Sequence, residues 1–338
     1  MIDLLVVGGG PAGLATALHA ARAGLDVQVW EPRAAPVDKA CGEGLMPTAV
    51  AALAELGVDP AGADLTGIRY VAGARSASAP FRSGLGRGVR RTTLHAALHS
   101  AALAAAVPVR PQRFSTLTQD EESVTVDGVR ARYVVGADGL HSAVRAAAGL
   151  GARPAGLRRY GQRRHARVAP WTDRVEVHWG PSAEAYVTPL GSGEVGVALL
   201  TTRRAPFAHL LTEFPELSER LAGAQMSPTL GAGPMLQRTR ARTAGRVLLV
   251  GDAAGYVDAL TGEGVALALA QAREAVAACA AGDPVSYEGA WRRVSRRYRL
   301  LTHALVLPTQ LPAARNRLVP LAAAFPRVFA GAVDALGG

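Results

Sequence analysis

Residues 4–13, Leu4-Leu5-Val6-Val7-Gly8-Gly9-Gly10-Pro11-Ala12-Gly13, pass from four consecutive apolar side chains straight into a glycine turn. A short apolar run ended by such a turn reads as a strand buried on both faces of a parallel sheet. Gly8-x-Gly10-x-x-Gly13 then opens a helix over 11–23, with Gly24 just past its end as a C-cap. Leu25 to Trp30 reads as a second strand that ends at Glu31. Strand, glycine turn, helix and strand at this spacing form a dinucleotide-binding unit. Gly8 permits the tight turn, Gly10 lets the backbone approach a pyrophosphate, and Gly13 lets the helix lie close to the sheet. Pro11 and Ala12 complete the turn at a helix N-terminus that favours an anion. Glu31 is placed to accept hydrogen bonds from an adenosine ribose, with Arg33 along the adenine or ribose.

Two later segments repeat the strand-then-glycine pattern. Gly136-Ala137-Asp138-Gly139 follows Tyr133-Val134-Val135, and Gly251-Asp252-Ala253-Ala254 follows Val247-Leu248-Leu249-Val250. The first motif alone does not separate FAD from NAD. Asp252 does, read as accepting hydrogen bonds from a ribityl chain, which only the flavin has. Downstream, Asp258-Ala259-Leu260-Thr261-Gly262-Glu263-Gly264 runs into an apolar helix. Backbone N–H groups around Gly262, Gly264 and Val265, with the positive helix end, then sit at the flavin pyrimidine edge and stabilise the charge of the reduced ring. Arg91 opens the helix expected over 92–106; it suits the pyrophosphate, or is one more surface arginine. Asp138 with Gly139 reads as a turn between the cofactor and nicotinamide sides, or as a structural Asx turn. The expected cofactors are FAD and, as a transient reductant, NAD(P)H.

The 338 residues are 49% apolar, which makes the chain globular. No run of about 18 consecutive apolar residues occurs, so no membrane span is expected. A strand starting at residue 2 leaves no room for a signal peptide, and the expected location is cytoplasmic. Cys41 and Cys279 fit neither a disulfide framework nor a metal site, and no metal is expected. The formal net charge of +10 is carried by arginine, with Lys39 the only lysine. Codon bias explains most of it. Without blocks of like charge, and with 5% aromatics, nucleic-acid binding is not expected.

Strand-like alternation takes over between about 160 and 202, with helical pattern at 205–222 and after Gly264. The fold class that follows is α/β: a Rossmann-like FAD-binding domain of glutathione-reductase type, an inserted, mostly antiparallel β-sheet substrate domain, and C-terminal helices. The expected domain ranges are 1–70, 90–155 and 240–285 for FAD; 71–89 and 156–239 for substrate; and 286–338 for amphipathic helices broken at Pro308, Pro312 and Pro320. These helices, with Arg293, Arg296, Arg297 and Arg299 nearby, allow a membrane-surface contact, although packing as core or dimer surface is the expected outcome. The chain is expected to be a monomer or homodimer.

The stretches VVGGGPAGLATALHAARAG, GADGLHSAVR and VLLVGDAAGYVDALTGEGVALAL resemble the FAD-dependent monooxygenases of the p-hydroxybenzoate hydroxylase fold, including their geranylgeranyl reductase-like branch. The resemblance covers the FAD-binding parts well and the middle sheet loosely. It implies a two-domain flavoprotein that uses NAD(P)H with oxygen, or a reductant alone. The usual proline of the third stretch is Ala259 here. Lys39-Ala40-Cys41-Gly42-Glu43-Gly44-Leu45 resembles the flavin-side loop of the reductase branch, and Gly42 would let the backbone approach the ring. Lys39, Cys41 and Gly42 are therefore expected at the cofactor.

Flavin hydroxylation needs a dry pocket and, for a phenol, a base. His165, which shares a strand face with Arg163 and Arg167, His178 and Tyr186 are the candidates on the middle sheet, with Cys41 from the flavin side. The leading expectation is an O2-using monooxygenase acting on an apolar, aromatic or polyketide-like small molecule. The alternative is an isoprenoid alkene reductase; its Tyr-x-Trp-x-Phe-Pro signature survives only as Tyr186-Val-Thr-Pro189. A second alternative is a flavin protein without turnover.

Overall fold

The computed structural model describes residues 1–153, 156, 158–309 and 311–337. Strand Ile2–Val7 is the centre of the first sheet, and its Leu4, Leu5 and Val6 are fully buried. Two-sided burial is what a run without polar alternation requires. Its parallel neighbours are Val129–Gly136 on one side and Val27–Trp30 on the other. Beyond them lie Val247–Leu249 and Val109–Arg110, also parallel. Helix Pro11–Arg22 covers this sheet with a face rich in Ala and Gly, packing on helices Arg91–Ala104 and Gly264–Ala280.

The second large sheet is ordered Gln225–Met226, Tyr160–Arg167, Glu194–Thr201, Ala183–Gly191, Val175–Trp179, Gly67–Ala72, Arg75–Pro80. It is antiparallel except where Val175–Trp179 runs alongside Gly67–Ala72. One face is closed by Phe207, Leu210, Phe214 and Leu217 from the short helices Phe207–Leu211 and Pro215–Arg220. The other faces the loop after Asp258 and the C-terminal helices, through Tyr70, Val177, Trp179 and Leu260. Glycine strand Gly86–Gly88 joins Gly44–Leu45 and Ala63–Leu65 between the two sheets.

The C-terminal helices are Ser286–Thr309, Pro312–Ala324 and Pro326–Gly337. Pro312 starts a helix, where the missing N–H costs little, and Pro308 lies in the last turn of Ser286–Thr309. Pro320 lies inside Pro312–Ala324, so the break expected there is absent. The break falls instead at Phe325, before Pro326, because proline disfavours helical geometry in the residue that precedes it.

Candidate functional site

The three strand-then-glycine motifs and Glu31 lie at the carboxyl edge of the first sheet. Gly8, Asp138 and Asp252 follow three adjacent parallel strands and Glu31 follows a fourth. This is the crevice where open α/β sheets bind ligands. The turn at Gly8 has φ 107°, and a Cβ there would press on the Ala137 carbonyl. Gly13 is tighter still, because a Cβ would overlap the Gly8 carbonyl oxygen. At Gly10 the only atom near a Cβ position is Nη2 of Arg91, at 3.7 Å.

Arg91 is the informative partner. Its side chain is buried, yet no carboxylate lies within ion-pair distance of its guanidinium among the described residues. Burial lowers its pKa, and Cys41 and Asp252 offset this only in part. An unpaired buried cation beside a glycine turn and a helix N-terminus fits the pyrophosphate of FAD. Arg91→Met is therefore expected to act in two directions. The flavin-free protein gains about 1 kcal/mol, because an uncompensated buried charge is removed. FAD affinity falls about ten- to hundredfold. Urea denaturation of apoprotein and a fluorescence titration with FAD check the pair; a parallel fall in both would mean that Arg91 is structural.

Glu31 accepts Gly9 N–H at Oε2 (3.0 Å) and Arg33 at both oxygens, through N, Nε and Nη2. Burial raises its pKa, but the Arg33 and Gly9 donors outweigh that and the net shift is downward. The Arg33 side chain is mostly exposed and is free to swing aside for a ribose. Asp252 Oδ2 accepts from Lys39 Nζ at 3.0 Å, so the only lysine reaches across 213 residues to the carboxylate expected at the ribityl chain. Arg145 ties down the same turn, donating to the carbonyls of Ala253 (3.1 Å) and Leu140 (2.6 Å). Gln271 Oε1 accepts the Gly251 N–H at 2.8 Å. Asp138 Oδ2 accepts the N–H groups of Ala143 (2.7 Å) and Val144 (3.1 Å) at the start of helix Ala143–Ala147. These bonds reach five and six residues ahead, so Asp138 ties the turn to the start of that helix and makes neither bond of an Asx turn.

The Lys39–Leu45 loop is locked through Glu43, whose φ is 61° and whose side chain is fully buried. Its Oε1 accepts the Arg91 N–H at 2.8 Å, and Oε2 lies 2.8 Å from His165 Nε2. Arg163 Nη1 lies 3.1 Å from His165 Nδ1. A guanidinium can only donate, so Nδ1 is the acceptor and the ring proton sits on Nε2, pointing at Glu43. Arg163 also pairs with Asp38. Gly42 O accepts the Thr188 hydroxyl at 2.8 Å, and Cys41 Sγ accepts the Glu43 N–H at 3.4 Å. The loop that should touch the flavin is thereby pinned to the second sheet.

These contacts correct the catalytic candidates. His165 is saturated by Arg163 and Glu43 and has no lone pair left for a substrate proton; it is a positioning residue. Arg167 is exposed and takes no part in the group expected with it. His178 lies on the opposite face of the sheet, 3.2 Å from Glu176 and against the Phe214 ring. The period-2 rule puts it there, because Val177 and Trp179 take the inward face. Tyr186 does face the flavin loop, with its hydroxyl donating to Leu260 O at 3.4 Å. Burial, then Glu184, push its pKa well above 10, so the phenol is an acid and not a base. Cys41 is half-buried at the loop.

The flavin loop itself is held from behind. Asp258 Oδ1 accepts the Leu260 N–H (3.0 Å) and Arg159 Nη1 (3.2 Å), while Tyr298 donates to its carbonyl (2.9 Å). Arg159 and Arg315 share Glu184, and all four charged groups are buried. Burial lowers the Arg159 pKa, but Glu184 and Asp258 outweigh it and hold it above its ordinary value. Glu43, Gln271, Arg159 and Asp258 were not singled out as site residues from sequence. Only Glu43 carried a signal, a carboxylate between two glycines where a polar loop has no need of one.

Glu263, between Gly262 and Gly264, borders a cavity of about 380 Å³ on the outer side of the loop, lined also by His19, Glu55, Arg273 and Tyr298. Its Oε2 is buried without a hydrogen-bond partner. Desolvation raises its pKa from 4.5 to about 7 against the pull of Arg297 and a Thr261 hydrogen bond. A raised carboxyl is bound to its proton more tightly in the fold than in the unfolded chain. Stability therefore declines as pH climbs from 4.5 to about 7 and levels off above. Glu263→Gln is expected to flatten that decline, read as the difference between wild-type and variant urea midpoints at several pH values.

The FAD binding domain family model matches residues 1–204. A menaquinone reductase of Mycolicibacterium smegmatis is 31% identical over 326 aligned residues, covering 86% of this chain and 79% of that protein. A digeranylgeranylglycerophospholipid reductase of Methanopyrus kandleri is 31% identical over 302, covering 79% and 77%. Among solved structures, a flavin-dependent brominase triple mutant aligns with TM-score 0.85 at 16% identity, covering all of this chain and 94% of that one. A p-nitrophenol 4-monooxygenase of Pseudomonas putida aligns with TM-score 0.79 at 21% identity, covering 100% and 98%. With its glycine turn and Asp252 on one sheet edge, this chain belongs to the FAD binding domain family and is an FAD-dependent oxidoreductase.

Proposed function

We propose that this chain reduces a carbon–carbon double bond in a lipophilic, isoprenoid-type substrate, with NAD(P)H reducing the flavin. The observation that carries the reading is the Lys39–Leu45 loop. It resembles the flavin-side loop of the reductase branch, and it is anchored at both ends, by Lys39 on Asp252 and by Glu43 on His165. The relatives that span most of the chain bear the names of reductases, one of them for a digeranylgeranyl lipid, which supports the same class. The missing Trp and Phe of the Tyr-x-Trp-x-Phe-Pro signature count against a substrate held as in those enzymes.

The cofactor, when bound and reduced, supplies a hydride to one alkene carbon. The chain must supply a proton to the other and keep water away. Tyr186 is the proton holder of choice, being protonated, on the inward face of the sheet and in contact with the flavin loop. Met46, Leu140, Trp179 and Leu260 make the surrounding layer apolar. Glu43, His165 and Arg163 orient the loop and move no proton.

Monooxygenation of an aromatic compound is the second reading, supported by the shared fold alone, since the monooxygenase structure is only 21% identical. Anaerobic incubation of the NAD(P)H-reduced holoenzyme with geranylgeraniol and with menaquinone, read by mass spectrometry, tests the first reading. A gain of two hydrogens is the expected result. No gain anaerobically, with a phenol gaining one oxygen in air, would replace it by the second. Failure of either nicotinamide to bleach the flavin would point to a carrier.

A further inference from the structure

From Gly289 to Val333 the chain holds eight arginines and no aspartate or glutamate. That stretch forms most of the three C-terminal helices. Their inward sides are accounted for: Phe329 packs on Tyr70, Val319 and Val333 are buried, and Arg315 joins the buried quartet with Glu184. Their outward sides are not. Leu300, Leu311, Leu321, Phe325 and Val328 are all more than half exposed.

Three of these lie within about one turn of a single bend. Segments Ala313–Ala324 and Pro326–Ala335 join at 106° around Phe325, and no single helix among the described residues is long and apolar enough to cross a membrane. The elbow presents Leu321, Phe325 and Val328, exposed by 53, 58 and 71%. Exposed Arg317 lies one helical turn before Leu321, and exposed Arg327 adjoins Val328. Short helices with apolar tips and arginines at their flanks lie in a lipid interface rather than span it. The charge decides between lipid and a second copy of this chain. Two such elbows would bring like-charged arginines together while the one carboxylate of the elbow, Asp334, is already paired with Arg82, whereas an anionic headgroup layer neutralises them.

We propose that the 313–333 elbow docks this protein on an anionic lipid bilayer, with Leu321, Phe325 and Val328 entering the headgroup region and Arg317 and Arg327 meeting lipid phosphates. The proposal stands on this surface alone and does not depend on the reaction proposed above.

The FAD-loaded full chain is sedimented with vesicles of equal phosphatidylglycerol and phosphatidylcholine, and with phosphatidylcholine alone. Binding to the first and not the second, falling with added salt, is the expected result. The triple variant Leu321→Ser/Phe325→Ser/Val328→Ser is expected to bind at least about tenfold more weakly. Arg317→Gln and Arg327→Gln each cost about fivefold. All these side chains are exposed, so the melting temperature should hold and isolates docking from folding. Equal binding by wild type and triple variant would overturn the proposal. So would a dimer in solution that the triple variant dissolves while vesicle binding is absent throughout.

Discussion

Gly13→Ala is expected to yield a protein that folds poorly and retains no FAD. The added methyl group would overlap the Gly8 carbonyl oxygen and crowd Ala137, both parts of rigid turns at the sheet edge. Neither neighbour is a flexible side-chain end, so either the helix lifts from the sheet or the glycine turn opens. Overpacking against backbone costs about 3 kcal/mol or more. The same displacement moves the N–H groups of the turn away from the pyrophosphate, so FAD affinity drops roughly a hundredfold or further. Urea midpoints and fluorescence titration of FAD read both quantities. Gly289→Ala is the control: it is the fourth residue of helix Ser286–Thr309, exposed, with nothing near its Cβ position, and should stabilise by up to about 0.5–1 kcal/mol. Retention of FAD by Gly13→Ala would mean that the turn is more pliant than its packing implies.

Arg159→Met is the second large effect. Glu184 would keep Arg315, but Asp258 would lose its only ion-pair partner among the described residues. An uncompensated buried carboxylate costs about 3–5 kcal/mol. The damage is local as well as global, because Asp258 Oδ1 also anchors the Leu260 N–H and so shapes the flavin loop. The expected signature is a lowered urea midpoint with brighter, less quenched flavin emission in the FAD that remains bound. As the pH falls the gap to wild type should narrow as Asp258 takes up a proton: with the cation gone, only the N–H bonds of Leu260 and Ala259 offset the burial that already raises its pKa. A loss under about 1 kcal/mol would show that Asp258 simply accepts a proton at neutral pH.

Strands and glycine turns were legible because their cause is local. Leu4 to Val7 admits no polar alternation, and Gly8 and Gly13 sit where only a glycine fits. The chemistry of the pocket was less legible because its causes are distant. Nothing near His165 in sequence announces Glu43, 122 residues away, and that contact together with Arg163 turns a candidate base into a positioning residue. His178 was open to correction by the alternation rule itself, since Val177 and Trp179 had already claimed the inward face. The quartet of Arg159, Glu184, Asp258 and Arg315 draws on four segments, and in a chain with this many arginines no single one stands out. The same abundance hid the meaning of Arg91, which lies in what the structure does not place beside it.

The three strands that carry the FAD contacts are neighbours in space, yet they begin at residues 2, 129 and 247. During synthesis, then, the emerging chain has no complete cofactor seat until nearly three-quarters of it has left the ribosome. The glycine turn is made first and waits for Asp252. FAD capture becomes a late checkpoint, closing a long-range loop that is slow to form and stabilising only chains that have finished. Products that stop short of that strand remain colourless and carry an unpaired sheet edge, which marks them for proteolysis.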